Sequence, residues 1–314
     1  MALLPFVKVE GLGNDFLVVD LRPGKPAHPL AELVTRPETV RALCNRNFGV
    51  GGDGVLAILP SSQGDARMRV LNADGSEAEM CGNGLRCVAK VLHDGDPALR
   101  RELLRIDTGA GLLACTIGTQ NGCAVSVMVE MGVPQLEPRL VPVASDATRL
   151  VRAHLRALDH DFAFTAVSMG NPHAVIFVDD DAANLRDLAE SYGRGIEHDA
   201  LFPRRTNVEF AAVRKSAANG PEIDLVVWER GCGITLACGT GACATVVAAC
   251  LEDRVPADRE IPVHLPGGTL FVTAKSATQD GTGPNFAGVA MRGPANIVFE
   301  ASVDPLAIHL PSRS

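Results

Sequence analysis

The chain has 314 residues, 46% apolar and 21% charged, enough apolar content to bury a core and a length matching about two domains. With 37 acidic against 29 basic residues the formal charge is −8, which argues against nucleic acid or an anionic membrane as main partner, since both reward a basic face. The apolar run from Met1 to Pro5 is short for a signal peptide, and nothing approaches the roughly 18 apolar residues of a membrane span, so a soluble, cytoplasmic protein is expected. In chain order, apolar patterning predicts strands over 7–10, 16–20, 55–59 and 67–71, with a helix over 38–45 among them. A second helix follows Gly84, where Leu85, Val88, Ala89 and Leu92 recur at the spacing of one buried face. Strands over 103–107, 112–117 and 124–130 follow, and the Pro-rich stretch 133–142 reads as a linker. The second half offers strands over 164–168, 174–178, 207–213 and 223–228. A helix after Gly241 then places Cys243, Val246, Val247, Cys250 and Leu251 on one face. Strands over 262–265, 269–274, 286–291 and 297–299 close the chain. Strands outnumber helices, so the fold class is α+β.

Two segments recur. Cys81-Gly82-Asn83-Gly84 resembles Cys238-Gly239-Thr240-Gly241, and Gly13-Asn14 with the apolar run after it resembles Gly170-Asn171 and its own run. Cys81 to Cys238 and Asn14 to Asn171 share one offset, half of the 314 residues. Two matches at one offset imply two similarly folded halves related by a pseudo-two-fold axis and facing each other.

Nine cysteines without an export signal are expected to be reduced thiols, so a special one is catalytic or metal-binding. Lys8, Lys25, Lys90, Lys215 and Lys275 are the only lysines, which leaves few candidates for a Schiff base. A cysteine at a helix start lies among unpaired N–H groups and the positive end of the dipole, so its thiolate is stabilised and its pKa falls. The glycines that follow let backbone N–H groups approach a carboxylate. Two such elements facing each other would flank one bound carboxylate with two thiols. Inverting a stereocentre needs a base on one face and an acid on the other, with the carbanion's charge spread into a held carboxylate. No PLP or metal is required. On such geometry, oxidation would join Cys81 to Cys238.

The plainer account of a cysteine is a small buried residue, and it holds for Cys44, Cys87, Cys115, Cys123, Cys232, Cys243 and Cys250. The repeated Cys-Gly-x-Gly context sets Cys81 and Cys238 apart. A zinc site from Cys81, Cys87, Cys238 and Cys243 has the wrong spacing and leaves the glycines unexplained. Gly49 to Gly54 matches a GxGxxG pattern with Asp74 beyond it, but a helix precedes it and a strand follows, the reverse of a dinucleotide fold. It reads as a tight glycine turn.

Blocks at 11–16, 72–87, 170–173, 205–210 and 229–241, which include Gly13-Asn14-Asp15, Asn72-Ala73-Asp74-Gly75, Gly170-Asn171-Pro172-His173 and Glu229-Arg230-Gly231, resemble the diaminopimelate epimerase family over essentially the whole chain. The resemblance implies cofactor-free interconversion of LL- and meso-2,6-diaminopimelate, for lysine and peptidoglycan precursors. It implies Cys81 and Cys238 as the acid/base pair, with His173 and Glu229 assisting. Gly82, Asn83, Gly239 and Thr240 would hold the reacting carboxylate, and Asn14, Asn72, Asn171, Asn207, Glu229 and Arg230 would line the rest of the pocket. The implied fold has two pseudo-symmetric lobes, each a mixed sheet wrapped around a central helix, with the active site in the cleft. The final strands return to the first lobe (1–132 plus 288–314, against 133–287), and the protein is a homodimer. Gly54 departs from members that carry a glutamine there, and Cys232 replaces a small apolar residue. The chemistry agrees, because a substrate with an ammonium and a carboxylate at each end needs both signs distally. Arg230 can grip a carboxylate bidentately, and asparagines with a glutamate can satisfy an ammonium. A racemase of proline, hydroxyproline or another amino acid, or a thiol redox or metal-binding protein, are the alternatives.

Overall fold

Alternating burial at the start of the chain forms β1 (Leu4–Gly11), which turns into β2 (Asn14–Asp20). The turn residues Leu12 and Gly13 both have positive φ, 59° and 82°, as a two-residue hairpin of this hand requires. The computed structural model describes residues 3–179, 184–216, 220–277, 285–308 and 310. Met1, Ala2 and residues 311–314, which enter the signal-peptide and first-lobe expectations, lie outside them. The chain divides into two units, Met1–Val129 with Gly293–Ser314, and Glu130–Arg292.

In the first unit, β3 (Gly54–Leu59) runs parallel to β2, and β4 (Ala66–Asn72) antiparallel to β3. The short β5 (Glu77–Ala78) pairs antiparallel with β4, and β6 (Leu103–Thr108) pairs parallel with it. Antiparallel β7 (Gly111–Gln120) and β8 (Cys123–Glu130) continue the succession. The helices are α1 (Ala31–Val34), α2 (Pro37–Cys44) and α3 (Gly82–Gly95). Strand β3 is buried almost throughout, the pattern of a strand covered on both faces. Helix α3 buries Leu85, Val88, Ala89 and Leu92 against strands that include β1, β2 and β7. Each such leucine or valine contributes about 1.5–3 kcal/mol by leaving water.

The second unit holds β9 (Ala153–Ala157), β10 (His160–Ser168), β11 (Pro172–Phe177), α4 (Leu185–Glu197), β12 (Asn207–Ser216), β13 (Gly220–Glu229) and β14 (Gly233–Ile234). It continues with α5 (Gly239–Leu251), β15 (Ile261–Leu265), β16 (Gly268–Ser276) and β17 (Phe286–Gly293). The succession of pairings from β10 to β17 repeats that from β1 to β8: antiparallel, parallel, antiparallel, antiparallel, then parallel from β13 to β15, then antiparallel twice. The last strand, β18 (Asn296–Val303), pairs antiparallel with β1 and belongs to the first unit. Helix α5 is not one-faced as the spacing suggests. From Gly239 to Cys250 every residue but Thr240 is buried, while Leu251 is only half-buried. Helices α1 and α4 and the strands β5, β9 and β14 are additions to the sequence reading. Segment 133–142 lies in the second unit, where Gln135 bridges to Ser168.

Candidate active site

Each unit presents a cysteine at the start of its long helix. Cys81 is extended (φ −141°) and caps α3, its sulfur accepting the Gly84 N–H at 3.4 Å. Cys238 (φ −120°) caps α5 in the same way, accepting from the Gly241 N–H at 3.3 Å. A sulfur at an N-cap takes one of the donors that the first turn leaves unpaired. Cys81 is half-buried, whereas Cys238 is 7% exposed.

Around Cys81, the Asn14 carbonyl oxygen lies 4.0 Å from the sulfur and accepts from the Asn83 amide at 3.3 Å. The Asn14 amide donates to Asp53 Oδ2 at 2.6 Å, and a carboxylate cannot donate in return, which fixes which way Asn14 faces. Asn83 Oδ1 accepts from the fully buried Arg86 at 3.1 Å. Asn72 ends β4 opposite Gly54, and its side chain donates to Ser76 Oγ at 2.9 Å. A Cβ on Gly54 would stand 2.6 Å from the Leu71 carbonyl oxygen, so this strand pairing has no room for a side chain there. The glycine-rich stretch 49–53 lies between α2 and β3 as a turn, with Gly51 at φ 84°, and Gly54 opens β3.

In the second unit, Asn171, His173, Thr240 and Cys238 form a chain of contacts. His173 Nε2 is 3.0 Å from Asn171 Oδ1, the Asn171 amide donates to Thr240 Oγ1 at 3.2 Å, and Thr240 Oγ1 is 3.5 Å from Cys238 Sγ. Asn207 Oδ1 accepts the Arg230 backbone N–H at 2.9 Å, and its amide donates to the Pro172 carbonyl at 2.8 Å. The Thr235 hydroxyl donates to Glu229 Oε1 at 2.7 Å. The Arg230 side chain is exposed and donates to the Arg204 carbonyl at 3.3 Å.

Burial, then the nearby Glu229 and Glu209, push the Cys238 thiol well above its usual range, while the Thr240 hydroxyl and Gly241 amide pull it down. The expected depression by the helix start is therefore outweighed at this sulfur, because desolvation of the thiolate is the larger effect. Cys87 and Cys115, read as buried structural thiols, are pushed up by burial to about 12.

Three contributors escape a reading from sequence. Asp53 orients Asn14, and the buried Glu197 accepts the Gly231 N–H at 2.9 Å and the Trp228 indole N–H at 2.8 Å. Glu209 accepts or donates at His173 Nδ1, 2.7 Å away. Glu209 had a signal, a carboxyl inside the apolar stretch of β12, whose neighbours Val208 and Phe210 are fully buried.

Solved structures of an epimerase and of a probable racemase share the fold. A hydroxyproline epimerase from Agrobacterium vitis with bound trans-4-hydroxy-L-proline superposes with a TM-score of 0.67 at 15% identity, covering 98% of this chain and 94% of that one. A probable proline racemase from Agrobacterium radiobacter gives 0.68 at 16%, covering 97% and 94%. At such identities the likeness speaks for the fold. The sequence goes further and places the chain in the diaminopimelate epimerase family, whose pattern it matches over residues 6–137 and 165–298. Diaminopimelate epimerases from Desulfitobacterium hafniense and Methanothermobacter thermautotrophicus are 46% and 41% identical to it. Each alignment covers 95% of this chain, and 97% and 98% of the respective relative. The chain is an isomerase. No helix among the described residues is long and apolar enough to cross a membrane.

Proposed function

We propose that this protein interconverts LL- and meso-2,6-diaminopimelate by a two-thiol mechanism without PLP or metal, acting in the cytoplasm as a homodimer of two-lobed chains. The observation that carries the mechanism is the recurrence, one in each unit, of a cysteine capping a helix that begins with Gly-x-Gly. One sulfur, as thiolate, removes the α-proton, and the other, as thiol, returns a proton to the opposite face. The electron pair left on the α-carbon spreads into the substrate carboxylate, which the N–H groups of Gly82, Asn83, Gly239 and Thr240 hold. Burial, Glu229 and Glu209 raise the Cys238 thiol, which favours its protonated form, and either sulfur can serve as base or acid. In the reverse direction the roles exchange.

Asn14, Asn72, Asn171, Asn207, Glu229 and Arg230 bind the remainder of the substrate, Arg230 at the distal carboxylate and the amides with Glu229 at the ammonium groups. His173 assists from below Asn171. The direct test is turnover of LL-diaminopimelate beside proline, hydroxyproline and other amino acids. Preference for diaminopimelate is expected, and equal or better turnover of a one-ended amino acid would replace the substrate assignment.

A further inference from the structure

The contact chain that ends at Cys238 begins one residue deeper than His173, at Glu209. Both Glu209 and His173 are fully buried, and Glu209 Oε1 lies 2.7 Å from His173 Nδ1. The other carboxyl oxygen, Oε2, is the one buried side-chain oxygen or nitrogen without a hydrogen-bond partner among the described residues. A bare oxygen of an ionised carboxylate is costly there. In the acid form the proton sits on Oε1, donates to Nδ1, and leaves Oε2 a neutral carbonyl. Burial pushes this carboxyl upward, against the pull of His173.

The repeat shows that a carboxyl is not needed for packing. In the first unit the residue at the same place in the pairing is Leu56, opposite Val18 on β2, as Glu209 is opposite Val175 on β11. A Cβ on Gly84 would meet Leu56 at 3.0 Å, and one on Gly241 would meet Glu209 Oε1 at 3.1 Å and Cys238 Sγ at 3.2 Å. A leucine fills the place beneath one helix start and a glutamate the place beneath the other.

We propose that Glu209 is a positioning residue that locks His173 with its hydrogen on Nε2, and thereby sets the direction of every hydrogen in the chain to Cys238. With Nδ1 taken by Glu209, Nε2–H donates to Asn171 Oδ1 at 3.0 Å. Asn171 must then turn its amide to Thr240 Oγ1 at 3.2 Å, which leaves the Thr240 hydrogen free for the Cys238 sulfur at 3.5 Å. Together with the Gly241 N–H, two donors meet the sulfur and support its thiolate against burial and against Glu229 on β13, the other carboxyl facing it. With the proton on Oε1, His173 and Glu209 face the sulfur as a neutral pair, and the upward push that an ionised Glu209 exerts on the thiol is relieved. This inference deepens the two-thiol reading and rests on it only for its kinetic consequence.

The test uses the full-length protein without substrate. Cys238 alkylation by iodoacetamide is followed by peptide mass spectrometry in wild type, Glu209→Leu and Glu209→Gln, and His173 is read by 15N NMR. Loss of one donor to a thiolate slows Cys238 alkylation in Glu209→Leu about tenfold at pH 8. Glu209→Gln, whose amide can donate to Nδ1, keeps most of the rate. The kcat for diaminopimelate follows the same order, with KM little changed. Alkylation in folded Glu209→Leu that is unchanged or faster overturns the proposal, as does an equal loss in Glu209→Gln. If Glu209→Leu does not fold, the wild-type spectrum decides: a proton on Nε2 supports the lock, and an unprotonated Nε2 overturns it. Since alkylation and NMR need no substrate, they stand or fall separately from the assigned activity.

Discussion

The Gly241 N–H points at the sulfur of Cys238 from 3.3 Å, three residues into the helix that the cysteine caps. That amide can approach because position 241 carries no side chain, a Cβ there being only 3.2 Å from the same sulfur and 3.1 Å from Glu209 Oε1. Gly241→Ala should lower kcat by about tenfold to a hundredfold, because a small displacement of a reacting group is costly in rate. Steady-state kinetics on a folded variant checks this, and an unchanged kcat would show that the cap geometry does not matter.

Arg230 stands exposed, with its backbone N–H pinned by Asn207 at 2.9 Å, so its guanidinium is presented from a fixed point of the chain. Arg230→Lys keeps the charge and loses the planar fork. For a distal carboxylate gripped at two points, KM should rise about tenfold or more while kcat falls less. A KM equal to wild type would remove Arg230 from the substrate contact.

Two glycines in α4 should respond oppositely to alanine. At Gly195 nothing lies within 4 Å of an added Cβ, so Gly195→Ala should stabilise by about 0.5–1 kcal/mol through helix propensity. At Gly193 a Cβ would stand 2.6 Å from the Trp228 ring, and Gly193→Ala should destabilise by about 1–3 kcal/mol. Urea denaturation of both variants reads the two signs, and matching signs would contradict the packing of α4 on β13.

Alkaline stability should depend on the buried thiols. Cys87 and Cys115 are raised by burial from 9.0 to about 12, so the folded chain holds these protons more tightly than the unfolded one. The contribution is intact below pH 9 and is lost as pH rises toward 12, at about 1.4 kcal/mol per pH unit for each thiol. Denaturation at pH 7.5, 9.5 and 10.5 should show a shallower fall for Cys115→Ala than for wild type. Parallel falls would mean that this thiol is not protected.

The parts of the molecule written in local pattern were legible before the structure. Strand β12 announced itself by apolar continuity and α3 by its spacing, and the two cysteine caps by their shared glycines. Helix α4 was hidden by Gly193 and Gly195, poor helix formers, of which the first is demanded by Trp228 from a distant strand. The short β5 and β14 exist only as partners of β4 and β13 and have no pattern of their own. At the candidate site, sequence pointed to residues by type and context, but the state of Cys238 depends on burial and on carboxyls from β12 and β13, which no local window contains.

The proposed division of inversion between two sulfurs is probed by incubating LL-diaminopimelate in D2O with purified PLP-free wild type, Cys81→Ala and Cys238→Ala, and following α-deuterium and configuration together. Wild type should yield meso product carrying solvent deuterium at the inverted carbon, and each alanine variant should lose inversion, at most retaining exchange at one face. Inversion at wild-type rate in either variant, or meso product without solvent deuterium, would contradict it.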